Sequence, residues 1–355
     1  MTSFISCGPD LLAPKTGLFS TDGFYNGMVY KVFYKDSSRR DLAASIDSVV
    51  WEFAASLSDA DEKSILSRVN NNDSSVILTE PLIRAFRNMK VLDSLTGGYL
   101  KMNCSDLKVR WGLNGKKLKT GWREPSQQEL DSFLKLMADE ETELFRLENK
   151  TRKVGEEQRD ADQKYWLENI RVKKNSDMDL SALLRGSLVD IIAEYLELEG
   201  IENYSVQVDQ VIRTSGTWRN KGWKVGIERP DLSEPIRPQG GIILKNEAMA
   251  TSGFTRNAIS TPMGDFLPLL NPKTGKPVEC GFFSFTVIAE DATTADALSN
   301  AFLTMGKDSA LAFAKRKKIE LFYLERGEDE NFISENTFLN SRKILPADSI
   351  RFMGF

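Results

Sequence analysis

The chain has 355 residues, of which 41% are hydrophobic and 28% charged, so its composition is that of a globular protein rather than a disordered or fibrous one. Its net charge of −4 provides no bulk positive field for a polyanion, which argues against nucleic acid as the main partner. The sequence contains no histidine, and this excludes Ser-His-Asp and Cys-His nucleophile systems as well as His-based zinc sites. Any chemistry must therefore use carboxylates, hydroxyls, Lys or Arg side chains, or a metal bound by oxygen atoms.

The first part of the chain predicts an irregular arm followed by a strand and two helices. Residues 1–23 are rich in Gly, Pro and Ser and are predicted to form the arm, and the aromatic and β-branched residues of Tyr25–Tyr34 predict a strand. Apolar residues recur with helical spacing in Asp41–Leu57. Thr79 is a candidate N-cap for a second helix, which is predicted to end at Thr96-Gly97-Gly98.

Charges of both signs dominate residues 125–163. The first residues of this segment have helical apolar spacing, and the rest is interpreted as a solvated helix with a loop. We treat the segment as a charged insertion into one domain that covers residues 24–355. The alternative is two lobes that meet near residues 175–180.

The remainder of the chain mixes helices and strands. The predicted strands are Trp166–Val172, Tyr204–Ile212, Trp223–Ile227, Gly241–Leu244, Gly281–Ala289 and Ile319–Leu324. The predicted helices are Asp179–Glu199, Thr294–Met305 and one that begins at Leu311–Ala314. Because these elements follow no regular βαβ period, we favour an α+β fold over a doubly wound parallel sheet.

The three cysteines are far apart in sequence, so we expect neither a disulfide framework nor a CxxC metal site. The residues before Cys7 are too few for the apolar core of a signal peptide, and no apolar run approaches the roughly 18 residues of a membrane helix. We therefore expect a soluble protein without a signal peptide or a membrane span. A place in the cell envelope stays open if an export segment was removed.

Seven groups of short motifs follow one another along the chain, and the groups are informative when taken together in this order. They are Ser58–Asn70; Thr96-Gly97-Gly98 with Trp111-Gly112; Asp179–Asp190; Gly200–Tyr204 with Trp223–Pro230; Thr251-Ser252-Gly253; Asn271–Pro277; and Ala295-Asp296-Ala297. In this order the motifs resemble those of the ApbE-like FAD:protein FMN transferases, from about Gly27 to Leu324. The resemblance implies the α+β fold of that family, with a central cleft for flavin and metal.

The resemblance also implies an activity. Such enzymes cleave FAD and attach its FMN part, through a phosphoester bond, to a Thr or Ser of a partner flavoprotein. The modified motif in the partner is Asp-x-x-Ser/Thr-Gly-Ala-Ser/Thr. Residues 93–98 of this chain match only its first half, so we do not expect the protein to modify itself.

A Mg²⁺ that bridges the pyrophosphate is part of the same resemblance. Phosphoryl-type transfer needs charge neutralisation and positioning, and hard Mg²⁺ takes oxygen ligands. By resemblance, the ligands are the carbonyl of Ala182, the carboxylate of Asp296 and the side chain of Asn300. Asn300 stands where the family usually has Thr, and its amide oxygen is a weaker ligand than a carboxylate.

Flavin contacts are likewise implied at seven positions. These are Asn26, Tyr99, Leu100, Lys101, Asp179, Arg185 and Leu270. Several residues depart from the family pattern: Lys101 replaces an acidic residue, Arg185 replaces Lys or Glu, and Asp209-Gln210-Val211 replaces a Gly-Gly-acidic turn. Side chains in that turn would occupy space that glycines leave to the ligand.

The largest departure is at Pro268-Leu-Leu-Asn271-Pro272. The family pattern here is His-x-x-Asp-Pro, and its His is important for transfer. Pro268 can neither accept nor donate a proton, and Asn271 has lost the carboxylate. Three hypotheses stay open: a divergent transferase that uses Mg²⁺ with water or another side chain as base, a catalytically degenerate relative that binds flavin or a protein, and an α+β domain with a repurposed cleft.

Overall fold

The computed structural model describes residues 17–25, 27–58, 61–73, 76–113, 123–140, 145–149, 168–172, 178–218, 221–230, 238–253, 258–328, 331–339 and 342–350. Asn26, one of the expected flavin contacts, and Cys7 lie outside these residues. No helix in the described ranges is long and apolar enough to cross a membrane.

The elements within these ranges are mixed helices and strands, as the predicted α+β class requires. The α-helices are α1 (Ala43–Leu57), α2 (Ile65–Asn70), α3 (Glu80–Thr96), α4 (Ser105–Trp111), α5 (Gln127–Glu140), α6 (Leu184–Leu198), α7 (Ala292–Met305) and α8 (Lys307–Lys317). The strands in the first half are β1 (Leu18–Tyr25), β2 (Met28–Lys35), β3 (Phe145–Asn149) and β4 (Glu168–Val172). Those in the second half are β5 (Asn203–Val208), β6 (Val211–Ser215), β7 (Trp223–Glu228), β8 (Pro238–Leu244), β9 (Glu247–Gly253), β10 (Ile259–Thr261), β11 (Gly264–Asn271), β12 (Lys276–Glu279), β13 (Phe283–Ala289), β14 (Glu320–Arg326), β15 (Phe332–Asn336) and β16 (Leu345–Pro346).

An antiparallel sheet of eight strands, in the order β1-β2-β5-β6-β9-β13-β14-β15, forms the centre of the fold. One face of the sheet packs on α1, α6, α7 and α8, and α3 packs on α1 and α7; these elements enclose the main hydrophobic core. Tyr34, Tyr204 and Phe285 of this core are fully buried. Three smaller sheets are β10-β11-β12, β16-β8-β7 and β3-β4.

Two predicted strands are in fact hairpins. The segment Tyr25–Tyr34 spans the turn between β1 and β2, in which Tyr25 pairs with Met28, and β1 occupies residues predicted to be an irregular arm. The signal for this turn was present, since Asn-Gly is the strongest short hairpin sequence. The segment Tyr204–Ile212 likewise contains β5, a turn at Asp209-Gln210 and the start of β6. Asp209 takes a positive φ of 48°, a conformation that glycine usually marks in a sequence, but this turn contains no glycine.

Other predictions are confirmed or adjusted by a few residues. The helical start of the charged segment is α5, but β3 lies where a solvated helix and loop were predicted, and it pairs with β4. The helix predicted over Asp179–Glu199 begins at Leu184, because the residues before it form a turn. Strands β10, β11 and β12 were not predicted, since Pro268 and several turn residues interrupt their pattern.

The contact between α6 and α7 positions the candidate site. Asp190 of α6 is 2% exposed and accepts hydrogen bonds from the backbone N–H groups of Ala292 and Thr293, at 2.9 and 2.8 Å. It therefore caps α7 from a neighbouring helix. Gly186 allows the two helices to approach, because a Cβ at this position would lie 2.3 Å from the carbonyl oxygen of Ala292.

Candidate functional site

The three expected metal positions lie together where the turn before α6 meets α7. Nδ2 of Asn300 is 3.0 Å from the carbonyl oxygen of Ala182 and 3.2 Å from Oδ1 of Asp296. Asp296 and Asn300 are one helical turn apart on α7 and are both buried. Carbonyl, carboxylate and amide oxygens are the hard donors that Mg²⁺ prefers, so this donor set suits the ion once the amide of Asn300 turns its oxygen toward the other two groups.

Asp296 is held from several sides. The backbone N–H of Gly186 donates to its Oδ2 at 3.0 Å, and a guanidinium nitrogen of Arg185 lies 3.6 Å from its Oδ1. Burial raises the pKa of Asp296 above its usual value, although Arg185, the Gly186 N–H and Asn300 act in the opposite direction. The buried carboxylate of Asp296 thus lies beside the positive charge of Arg185.

Asp209 lies within the electrostatic reach of the same arginine. Its carboxylate accepts a hydrogen bond from the backbone N–H of Val29 at 3.1 Å and ties the β5–β6 turn to β2. Burial raises the pKa of Asp209, and the charge of Arg185 opposes that rise. Arg185, which is a quarter exposed, therefore interacts electrostatically with both carboxylates.

A second group of expected residues forms a cleft beside the metal positions. The residues that line it are Tyr99, Leu100, Lys101, Cys104, Lys108, Asp179, Ser181, Ala182, Leu269, Leu270 and Pro272. Ala182 belongs to both groups, so the expected flavin and metal positions are contiguous. The free volume of ≈ 20 Å³ is about that of one water molecule. A flavin could enter only if some of these side chains moved.

Two Lys–Asp ion pairs close the cleft. Nζ of Lys101 is 2.9 Å from Oδ2 of Asp93, and both side chains are mostly buried. Lys108 pairs in the same way with Asp179. Burial acts to raise the pKa of Asp179, but the ammonium of Lys108 and hydrogen bonds from Ser181 outweigh it and hold that pKa below its usual value. Each lysine is a cation that could exchange its carboxylate partner for a phosphate.

The position of the family histidine offers no proton-carrying group. Pro268 lies exposed in β11, where the register between Phe266 and Leu270 is irregular. Asn271 has a structural role: its Nδ2 donates to the carbonyl of Thr304 at the end of α7, and its Oδ1 accepts from the backbone N–H of Lys273. Leu270 is buried and lines the cleft.

The structure adds residues that the sequence did not single out. Lys108 and Asp93 are the ion-pair partners of two expected residues; Lys108 belongs to no motif, and Asp93 belongs only to the partial match to the acceptor motif. Ser252 belongs to the Thr-Ser-Gly motif, and its hydroxyl donates to Oδ1 of Asn300 at 3.2 Å. For Ser252, the Thr-Ser-Gly motif was a signal in the sequence. The two ion pairs had no such signal, because they join segments that are distant in the sequence.

Comparisons with known proteins agree with the resemblance. A family model described as the ApbE family matches residues 26–323. The chain is 25% identical over 336 residues to the FAD:protein FMN transferase of Haemophilus influenzae, covering 91% of this chain and 90% of that protein. It is 27% identical over 315 residues to the FAD:protein FMN transferase of Vibrio cholerae serotype O1, covering 85% and 86%.

Solved structures share the fold. The apo form of the Pseudomonas stutzeri flavinyl transferase ApbE superposes with a TM-score of 0.71 at 19% identity, over 90% of this chain and 94% of that one. The flavin transferase ApbE from Vibrio cholerae gives a TM-score of 0.68 at 23% identity, over 90% and 97%. Since the family model covers well over half of the sequence, the chain belongs to the ApbE family.

Proposed function

We propose that this chain is a Mg²⁺-dependent FAD:protein FMN transferase, which moves FMN from FAD to a Thr or Ser hydroxyl of a partner flavoprotein. Its relatives carry that activity in their names. The observation that carries the proposal is the convergence of Ala182, Asp296 and Asn300 next to the cleft. Two distant segments, the turn before α6 and helix α7, thus bring together a carbonyl oxygen, a carboxylate and an amide whose oxygen would complete the hard donor set of Mg²⁺.

The reaction exchanges one phosphoester bond for another. The acceptor hydroxyl attacks the phosphorus of the FMN part, the pyrophosphate bond breaks, and AMP leaves with the bridging oxygen. The proton of the hydroxyl passes to solvent or to a side chain. Mg²⁺ bound by Ala182, Asp296 and Asn300 would neutralise phosphate charge.

Arg185 supplies a permanent positive charge at the same point. Its guanidinium is 3.6 Å from Asp296 and partly exposed, so it can contact a ligand at the metal positions without leaving the carboxylate. The planar fork of Arg matches a phosphate in two-point contact. We expect Arg185 to hold a phosphate of FAD, and Lys101 and Lys108 to be further candidates for that role.

A second candidate function is flavin binding without transfer. It is favoured by Pro268, which presents no titratable group where the family histidine stands, and by Asn271, which is engaged in a turn. In this case the carboxylate and the cations near the cleft would bind FAD, but the hydroxyl would find no base.

A transfer assay separates the two functions. The protein is incubated with FAD, Mg²⁺ and a domain carrying the Asp-x-x-Ser/Thr-Gly-Ala-Ser/Thr motif, and the domain is then weighed by intact mass spectrometry. We expect a mass gain equal to FMN less water, with the Haemophilus influenzae relative as positive control and Asp296→Ala as negative control. If the domain gains no mass while FAD fluorescence titration still shows binding, the second function replaces the first.

A further inference from the structure

Asn300 can present either end of its amide to the metal position. In the structure, its Nδ2 is shared between the carbonyl oxygens of Ala182 and Asp296, each at 3.0 Å, and Oδ1 of Asp296 at 3.2 Å. Its own Oδ1 accepts the hydroxyl of Ser252. The two ends of an amide have the same shape, so hydrogen-bond partners decide which orientation is adopted.

Two buried hydroxyls next to Asn300 can support both orientations. Oγ of Ser252 is 2.7 Å from Oγ of Ser299, and either atom can be the donor. Oγ of Ser299 also lies 2.8 Å from the carbonyl oxygen of Asp296. Both serines are buried, so their protons have to be satisfied inside this cluster.

The two arrangements differ in the direction of each hydroxyl. In the first, Ser299 donates to Ser252, and Ser252 donates to Oδ1 of Asn300. In the second, Ser299 donates to the carbonyl of Asp296, Ser252 donates to Ser299, and Oγ of Ser252 accepts from the reversed Nδ2 of Asn300. Every hydroxyl proton has an acceptor in both arrangements.

A cation selects between them. The reversed amide would place its oxygen beside the carbonyl of Ala182 and the carboxylate of Asp296, and three such oxygens repel each other unless a positive ion lies between them. In the structure the amide nitrogen faces these oxygens and donates to them, which relieves their repulsion. A bound cation would stabilise the reversed amide and shift the population toward it.

We propose that Ser252 and Ser299 are positioning residues that form a reversible hydroxyl relay, which lets Asn300 alternate between a hydrogen-bond donor in the metal-free protein and an oxygen ligand in the metal-bound protein. This inference rests on the proposed function, in which Ala182, Asp296 and Asn300 bind Mg²⁺.

Ser299→Ala tests the relay because it affects the two arrangements unequally. The first arrangement keeps the bond from Ser252 to Asn300. In the second, the proton of Ser252 has lost its acceptor. The variant should therefore bind Mn²⁺ about five- to tenfold more weakly than the wild type, which is the effect of one unmade buried hydrogen bond. Free Mn²⁺ is counted by electron paramagnetic resonance in the metal-alone titration, and circular dichroism verifies the fold.

The same substitution in an Asn300→Asp background supplies the control. A carboxylate presents oxygen in either orientation and needs no relay, so Ser299→Ala should then change Mn²⁺ affinity by less than about twofold. Ser56→Ala should leave affinity unchanged in both backgrounds, because this buried serine on α1 makes its hydrogen bond to Thr79 and not to the relay. An equal loss in both backgrounds, or no loss in the wild type, would overturn the relay and leave the metal site standing. No Mn²⁺ binding in either background would overturn the metal site and, with it, the relay.

Discussion

Asp190 should be among the most important polar residues for stability, because it joins two helices and an arginine. Its carboxylate accepts from two backbone N–H groups and from the hydroxyl of Thr293 at 2.7 Å, and it pairs with Arg213 at 2.9 Å. Breaking a buried ion pair costs about 3–5 kcal/mol, and each unsatisfied backbone donor adds about 1–3 kcal/mol. Arg213 is 19% exposed and keeps its ion pair with Glu197 at 3.0 Å, so the lost pair costs less than this range; with about 1–2 kcal/mol for each of the two backbone donors, we expect Asp190→Ala to lower the free energy of unfolding by about 4 kcal/mol.

The assay is urea unfolding followed by circular dichroism and tryptophan fluorescence, with agreement of the two curves as the test for a two-state transition. Asp291→Ala is the matched control. Asp291 caps the same end of α7 through the N–H of Thr294 at 2.7 Å, but it makes a local cap and should cost about 1 kcal/mol. If Asp190→Ala is no more destabilising than Asp291→Ala, the importance assigned to the α6–α7 connection is wrong.

Three further results are expected. Burial raises the pKa of Cys104 to about 12, and Cys280 is partly exposed, so a maleimide should label Cys280 before Cys104 when native protein is mapped by mass spectrometry; equal rates at these two residues would contradict the burial of Cys104. Gly186→Ala should cost about 1–3 kcal/mol in urea unfolding and weaken Mn²⁺ binding, because the added methyl separates α6 from α7; unchanged affinity would show that their spacing does not position the site. Lys108→Met should cost about 3 kcal/mol at neutral pH by leaving Asp179 charged and buried. In the wild type, the stability contributed by this pair is lost as pH falls through the lowered pKa of Asp179. In the variant, burial without the ammonium raises the pKa of Asp179, so the free energy of unfolding should rise on acidification. Parallel pH profiles of unfolding free energy for the two proteins would refute the pairing.

The sequence predicted the elements whose signals are local. Helices α1, α3 and α7 follow from apolar spacing and from start and stop residues, since the pattern that buries one face of a helix lies within a few turns. The residue patterns of Tyr25–Tyr34 and Tyr204–Ile212 predict single strands where the structure has hairpins, because strand-like residues continue on both sides of the turns. The Asn26-Gly27 pair is a local signal for the first reversal, whereas for the second only the pairing of β5 with β6 shows where the chain turns.

Part of the candidate site could likewise be predicted from the sequence, and part could not. Resemblance to the family placed Ala182, Asp296 and Asn300, and the structure brings them together. Resemblance could not indicate that Lys108 pairs with Asp179, because this contact joins segments without a shared motif. The orientation of the Asn300 amide was also inaccessible from sequence, since it depends on hydroxyls contributed by β9 and α7.

The most direct test of the central claim is the mass of an acceptor domain incubated with this protein and FAD, followed over time in Mg²⁺ and in EDTA. The account predicts a gain equal to FMN less water in Mg²⁺, and none in EDTA or with Asp296→Ala. An acceptor that stays unmodified in Mg²⁺, beside a working relative, would contradict transfer. Equal gains with and without the metal would contradict the role of Ala182, Asp296 and Asn300.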